Sequence, residues 1–172
     1  MTGIKGWIKD LLIAALIALL IMTFIKPTIV KESSMQPTLY ANNYIFLSKQ
    51  SYRFSAPSRG DIVVFHTDLT QNDGTEKLLI KRVVALPGET VTIAEGHVYI
   101  NDALLDEPYI NGDMTAGYIE SLIIPDGEVF VMGDNRGVSI DSRDSRVGSV
   151  AIDMIVGKAI FRLYPFNKLG LL

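Results

Sequence analysis

Apolar and polar positions divide the chain into two unlike parts. From Leu11 to Ile25 runs LLIAALIALLIMTFI, which carries no charge and a single hydroxyl, Thr23. A helix on the surface of a soluble domain would show a polar face, and this stretch shows none. Ten of its residues are Leu, Ile or Phe. At roughly −0.3 to −0.6 kcal/mol each, they favour insertion into a bilayer. Length is the difficulty: a helix over Leu11–Ile25 spans about 22 Å, against a hydrocarbon core of about 30 Å. Trp7 and Ile8 extend the span if Lys9 and Asp10 reach back to the headgroups.

Beyond Pro27 the period changes to short runs rich in Val, Ile, Phe and Tyr. The pattern predicts strands at Thr28–Glu32, Tyr44–Lys49, Asp61–His66, Leu79–Leu86, Thr90–Ile93, His97–Ile100, Glu128–Met132 and Ile155–Leu163. Breakers separate them, among them Pro57, Asp73-Gly74, Pro87-Gly88, Glu95-Gly96 and Pro125-Asp126-Gly127. No long amphipathic helix follows residue 27. The expectation is a mainly β fold, an antiparallel barrel or sandwich, behind one N-terminal transmembrane helix.

Flanking charges bear on how the first part is used. Lys5 and Lys9 precede the apolar stretch; Lys26 and Pro27 close it. A cleaved leader would be followed by a pair of small residues, and Lys26-Pro27-Thr28-Ile29-Val30 offers none. An uncleaved anchor is therefore expected, with the N-terminus cytoplasmic by the positive-inside rule. Lys26 and Lys31 on the far side work against that orientation. Residues 1–27 form the expected stub and anchor, and residues 28–172 the expected extracytoplasmic β domain.

Composition narrows the chemistry. The 172 residues carry a net charge of −3, which gives no global pull toward nucleic acid. There is no cysteine, so disulfides, zinc–thiolate sites and cysteine nucleophiles are excluded. Only His66 and His97 are available for a histidine-based triad. Asp134, Asp141 and Asp144 lack the spacing of a calcium loop. No metal or cofactor is expected. Arg59-Gly60-Asp61 reads as a turn before a strand.

Lys81 is the unusual position. In the run Leu79–Leu86, alternation puts Leu79, Lys81, Val83 and Ala85 on one face. An ammonium among apolar neighbours is poorly solvated, and burial can lower a lysine pKa by about 3–5 units. That frees a neutral amine to act as a base. The ordinary alternative is a lysine that points outward or pairs with an acid. A serine hydroxyl needs such a base before it becomes a nucleophile. Ser34 lies in a turn-like stretch before Pro37, but position alone does not separate it from Ser33.

Four blocks settle the choice by resemblance. They are Ser34-Met35-Gln36-Pro37-Thr38-Leu39, Arg59-Gly60-Asp61-Ile62-Val63-Val64-Phe65, Lys81-Arg82-Val83-Val84 with Leu86-Pro87-Gly88, and Gly133-Asp134-Asn135-Arg136 with Ser139, Asp141, Ser142 and Arg143. In this order, over residues 30–148, they resemble the bacterial type I signal peptidases. The anchor resembles that of the small, single-anchor members. The resemblance implies a serine endopeptidase that cuts signal peptides from exported preproteins after small residues, at Ala-x-Ala sites, as a monomer on the membrane. It implies Ser34 as nucleophile and Lys81 as general base. Ser139 would orient the lysine amine, and Asp141 and Arg143 would brace the site. The Ser34 backbone N–H would be the main oxyanion donor.

One departure stands out. Many relatives carry Ser or Gly two residues before the nucleophile, and this chain carries Glu32. A carboxylate there would repel an oxyanion, so Glu32 is expected to point away, and the second donor stays unassigned. Val30, Met35, Leu39, Leu79 and Ile80 are candidate walls of the substrate pockets, with membership of the core as the alternative for each. Met35 is also a candidate for dipping into the bilayer surface.

Two other functions are weighed. A LexA-type self-cleaving repressor also uses a Ser–Lys pair on a β domain. It should carry a DNA-binding helical module and an Ala-Gly site before the serine, whereas Ala116-Gly117 comes after. A membrane-tethered β domain that only binds peptides would be marked by loss of Ser34 or Lys81.

Overall fold

The computed structural model of the chain describes residues 3–71, 73–112 and 114–172. Met1 and Thr2 of the expected stub, and the Lys5 side chain invoked for orientation, lie outside the described residues.

Helix α1 covers Ile4–Phe24. At 1.5 Å per residue its 21 residues reach about 31 Å, enough for a hydrocarbon core without strain. The helix starts earlier than the apolar run because Trp7 and Ile8 continue it through Lys9 and Asp10. Its side is exposed throughout Gly6–Phe24. The Thr23 hydroxyl donates to the Leu19 carbonyl at 3.0 Å, so the helix satisfies its own polar side chain there.

Twelve strands follow among the described residues: β1 (Ile25–Ile29), β2 (Tyr44–Ser48), β3 (Ile62–Phe65), β4 (Leu79–Ala85), β5 (Thr90–Ala94), β6 (His97–Ile100), β7 (Ala103–Leu104), β8 (Ile119–Ile123), β9 (Glu128–Met132), β10 (Val150–Ala151), β11 (Ile155–Tyr164) and β12 (Gly170–Leu171). The large sheet runs β1-β2-β11-β3-β4-β9-β10, with β12 beside β11. The small sheet runs β7-β6-β5-β8. Neighbouring strands in both sheets are antiparallel. The expected fold class is therefore observed. The large sheet is a half-barrel, since β1 and β10 stand at its two ends without pairing to each other.

Alternation assigns the two faces of the large sheet. Ile62 and Val64 join Val30, Met35, Leu39, Ile45, Leu47 and Ala159 in one buried cluster. Val63 and Phe65 join Leu79, Val83, Val129, Val131 and Val150 in another. Val63 pairs with Lys81, which places the lysine on the second face. The expected series Leu79, Lys81, Val83, Ala85 stops at Val83. An irregularity in the β4–β9 register lies between Val83 and Ala85, and Ala85 packs in the third cluster, with the small sheet.

β1 begins directly at the end of α1, three residues before the strand expected at Thr28. Its register with β2, Ile25 opposite Ser48 to Ile29 opposite Tyr44, draws it back toward the helix. A boundary at residues 27 and 28 thus cuts through β1. Pro27 is accommodated because β1 is an edge strand.

Candidate active site

The segment after β1 turns back under hydrogen bonds from Val30 N–H to Asn43 O and from Asn42 N–H to Val30 O, 2.9 and 2.8 Å. Ser34 sits in the next turn, closed by Gln36 N–H to Ser33 O and Leu39 N–H to Met35 O. Met35 and Leu39 hold this turn down: both are fully buried in the cluster beneath it. The turn places these two candidate cleft walls, and Met35 as a candidate bilayer contact, in the core beneath the serine rather than among the residues that line the cleft described below.

β4 brings the lysine to the serine. The Lys81 Nζ lies 2.7 Å from the Ser34 Oγ and 3.0 Å from the Ile80 carbonyl oxygen. Lys81 is 1% exposed and Ser34 4%. Burial, the largest influence, pushes the lysine pKa down to about 8; Asp141 and Glu32 pull it upward, and Lys77 pushes it down. The amine is thus half neutral at about pH 8, and among the described residues no acid pairs with it directly.

The loop after β9 clamps the serine segment from the other side. Asn135 N–H donates to the Ser34 carbonyl oxygen at 3.0 Å. The Asp141 carboxylate accepts from the Gly133 N–H at 2.9 Å and takes two bonds from the Arg143 guanidinium, both 2.8 Å. Burial pushes the Asp141 carboxyl upward, but Arg143 and the Gly133 N–H outweigh it and hold the group below the usual carboxylate range. Arg82 forms a fork with Asp134 and stacks over Tyr109 at 4.1 Å. The Ser139 Oγ is buried and makes no hydrogen bond among the described residues. It and the Ser34 carbonyl oxygen both crowd the same point above Gly133, so the two serines are neighbours. The spacing of the fourth block alone did not reveal this role of Gly133 as the place of closest approach.

A cleft of about 220 Å³ opens beside the pair, walled by Thr28, Val30, Val64, Leu79 and Ile80. It reaches to Glu32 and Ile80, two residues short of Ser34 and one short of Lys81. Val30, Leu79 and Ile80 are thus brought together as expected walls, and Thr28, which sequence reasoning missed, joins them. Both sides of the cleft are strand edges: β1 pairs only with β2, and β4 pairs with β9 only from Arg82 onward. An extended peptide can add to such edges. Glu32 ion-pairs with Lys77 at 2.6 Å. Among the described residues the Ser34 N–H donates to no protein acceptor.

His66 bonds to Glu76 on the surface at 2.6 Å, and His97 is exposed on β6; neither meets Ser34. A buried serine in contact with a lysine amine, close to a cleft bounded by strand edges and behind an apolar helix long enough to span a membrane, is an arrangement a serine hydrolase could use.

The comparisons with known proteins carry this further. Residues 4–164 match the family described as signal peptidase, peptidase S26. The chain is 40% identical over 172 residues to a probable signal peptidase I-1 of Synechocystis, covering 97% of this chain and 86% of that one. It is 37% identical to that organism's probable signal peptidase I-2, with 95% and 75% covered. It is 38% identical to signal peptidase I T of Bacillus subtilis, with 95% and 86% covered. The chain belongs to the signal peptidase family, peptidase S26, and is a serine endopeptidase that removes signal peptides.

Proposed function

We propose that Ser34 is the nucleophile and Lys81 its general base, and that the enzyme cuts exported preproteins after small residues, at Ala-x-Ala sites. The observation that carries this is the 2.7 Å contact between a hydroxyl and a buried amine. A neutral Lys81 takes the Ser34 proton as Oγ attacks the carbonyl carbon. The Ser34 N–H meets the oxyanion of the tetrahedral intermediate. Lys81 then passes the proton to the departing amine; neutral again, it takes a proton from water as the water oxygen attacks the acyl carbon, and gives that proton to the Ser34 Oγ as the ester bond breaks.

The cleft supports the choice of small residues. Its apolar walls, Val30, Val64, Leu79 and Ile80, enclose about 220 Å³ beside a polar rim of Glu32, Gln71, Glu76 and Lys77. Val30, Leu79 and Ile80 are the proposed substrate contacts. Asp141 and Arg143 brace the loop through the Gly133 N–H. Ser139, whose buried hydroxyl lies beside the Ser34 backbone and also helps hold the Asp141 carboxyl down, is the proposed group that orients the Lys81 amine. One chain supplies every part, which supports a monomer. Lys5 and Lys9 support a cytoplasmic N-terminus with residues 28–172 outside.

The test is hydrolysis of a signal-peptide substrate by the full chain in detergent. Ser34→Ala and Lys81→Ala are each expected to lose turnover. Equal turnover in all three proteins removes the mechanism and leaves a different nucleophile to be found.

A further inference from the structure

We infer that Lys77 is a positioning residue: it holds the Glu32 carboxylate across the cleft and keeps that negative charge away from the oxyanion formed at Ser34. This rests on the Ser34–Lys81 reading above. Glu32 stands two residues before the serine whose N–H faces the developing charge. Its side chain is 45% exposed and, among the described residues, Lys77 is its one ion-pair partner. Released, the carboxylate is on a flexible stem within reach of the site. Its charge already acts on Lys81, where it favours the protonated amine and Lys77 opposes it.

Lys77 is built to hold rather than to drift. Its N–H donates to the Leu69 carbonyl at 2.8 Å, and its carbonyl accepts from the Thr67 hydroxyl at 2.6 Å. Both bonds fix the backbone just before β4. The side chain is only 25% exposed. The pair it makes with Glu32 stands between the substrate cleft and a second, shallower hollow lined by Thr70, Gln71 and Asp73. The carboxylate is therefore drawn toward the 70–77 segment and not toward the serine. Asp141 and Asp134, the other carboxylates that act on Lys81, are already tied to Arg143 and Arg82.

A plain surface ion pair predicts something different. Exposed pairs contribute little, and loss of one partner should leave kcat alone. A freed carboxylate near the oxyanion opposes charge development in the transition state, so it lowers kcat and spares KM.

The experiment uses the full chain in detergent with a signal-peptide substrate. Rates are compared on the alkaline plateau, above the lysine limb, so that a change in Lys81 ionisation does not enter. Lys77→Met is expected to lower kcat about tenfold with KM within about twofold. Lys77→Arg is expected to keep the wild-type rate. Adding Glu32→Gln to Lys77→Met is expected to restore at least half of it, with thermal midpoints alike throughout. An unchanged kcat in Lys77→Met, or a double variant as slow as the single one, overturns the proposal. Ser34→Ala and Lys81→Ala run alongside. If these remain active, the underlying mechanism fails, whatever Lys77 does.

Discussion

Gly133 packs against the backbone of Ser34 so closely that a β-carbon on it would stand 2.5 Å from the Ser34 carbonyl oxygen. The same carbon would run into the Ser139 side chain. The requirement is room, since Gly133 does not adopt a left-handed conformation.

Gly133→Ala is therefore expected to push the two segments apart. Overpacking of this kind costs about 1–3 kcal/mol. The shift falls on Ser34, the proposed nucleophile, and about 1 Å of misplacement costs about a hundredfold in rate. Denaturant unfolding and turnover measure the two effects. A fully active, equally stable Gly133→Ala protein would contradict this packing.

Lys81 ties stability to pH. Its value is 10.5 when free and about 8 in the folded chain. Between these values the unfolded chain binds the extra proton, so stability rises with pH across the window. The gain amounts to about 3 kcal/mol over the whole interval, and below the folded value the full cost remains. The half-buried Tyr52 phenol, pushed up by burial and by Asp61, acts in the opposite sense above pH 10.0. Lys81→Met is the control, since it lacks the lysine term and keeps Tyr52. The difference between the two unfolding curves should grow toward neutral pH, with the variant the more stable there. A constant difference from pH 7 to 10 argues that the lysine is not desolvated.

With Lys81 as the proposed general base, the same ionisation is expected to govern the rate. Activity should rise along an acid limb centred at about pH 8, where the amine loses its proton. A pH profile of kcat/KM reports the free enzyme. A limb near pH 10.5 means an ordinary solvated lysine.

Asp141 holds Gly133 and Arg143 together, and it is fully buried. Asp141→Asn leaves a guanidinium without its partner, at an expected cost of about 3–5 kcal/mol. In the wild type the carboxyl is held below its free value of 3.8. Its contribution is thus present above that pH and lost as the pH falls through the folded value. Acid titration of both proteins should converge below that point. A variant as stable as wild type at pH 7 would show that the ion pair adds nothing net.

Much of this was legible along the chain. The apolar run announced α1, and alternation from Leu79 to Val83 placed Lys81 among apolar neighbours. It stopped being informative at the β4–β9 irregularity, which moved Ala85 to another cluster. β8 was missed because Glu120 and Ser121 interrupt its pattern and four of its five residues are exposed. Met35 and Leu39 lie in a turn, where no period says which way a side chain points. The Lys77–Glu32 pair joins residues far apart in sequence, and nothing local in either segment marks it.

The junction at Ile25 leaves no slack between anchor and enzyme. The Ile25 N–H still donates to Ile21 in the helix, while the Phe24 carbonyl accepts from Lys49 at the end of β2, 2.9 Å away. From Ile25 to Ser34 the backbone extends at most about 30 Å. With the helix embedded in lipid as proposed, the scissile bond is expected to arrive at a set height above the headgroups. The bilayer would then act as a ruler: a stretch of preprotein with suitable residues at the wrong distance from its own membrane segment is expected to go uncut.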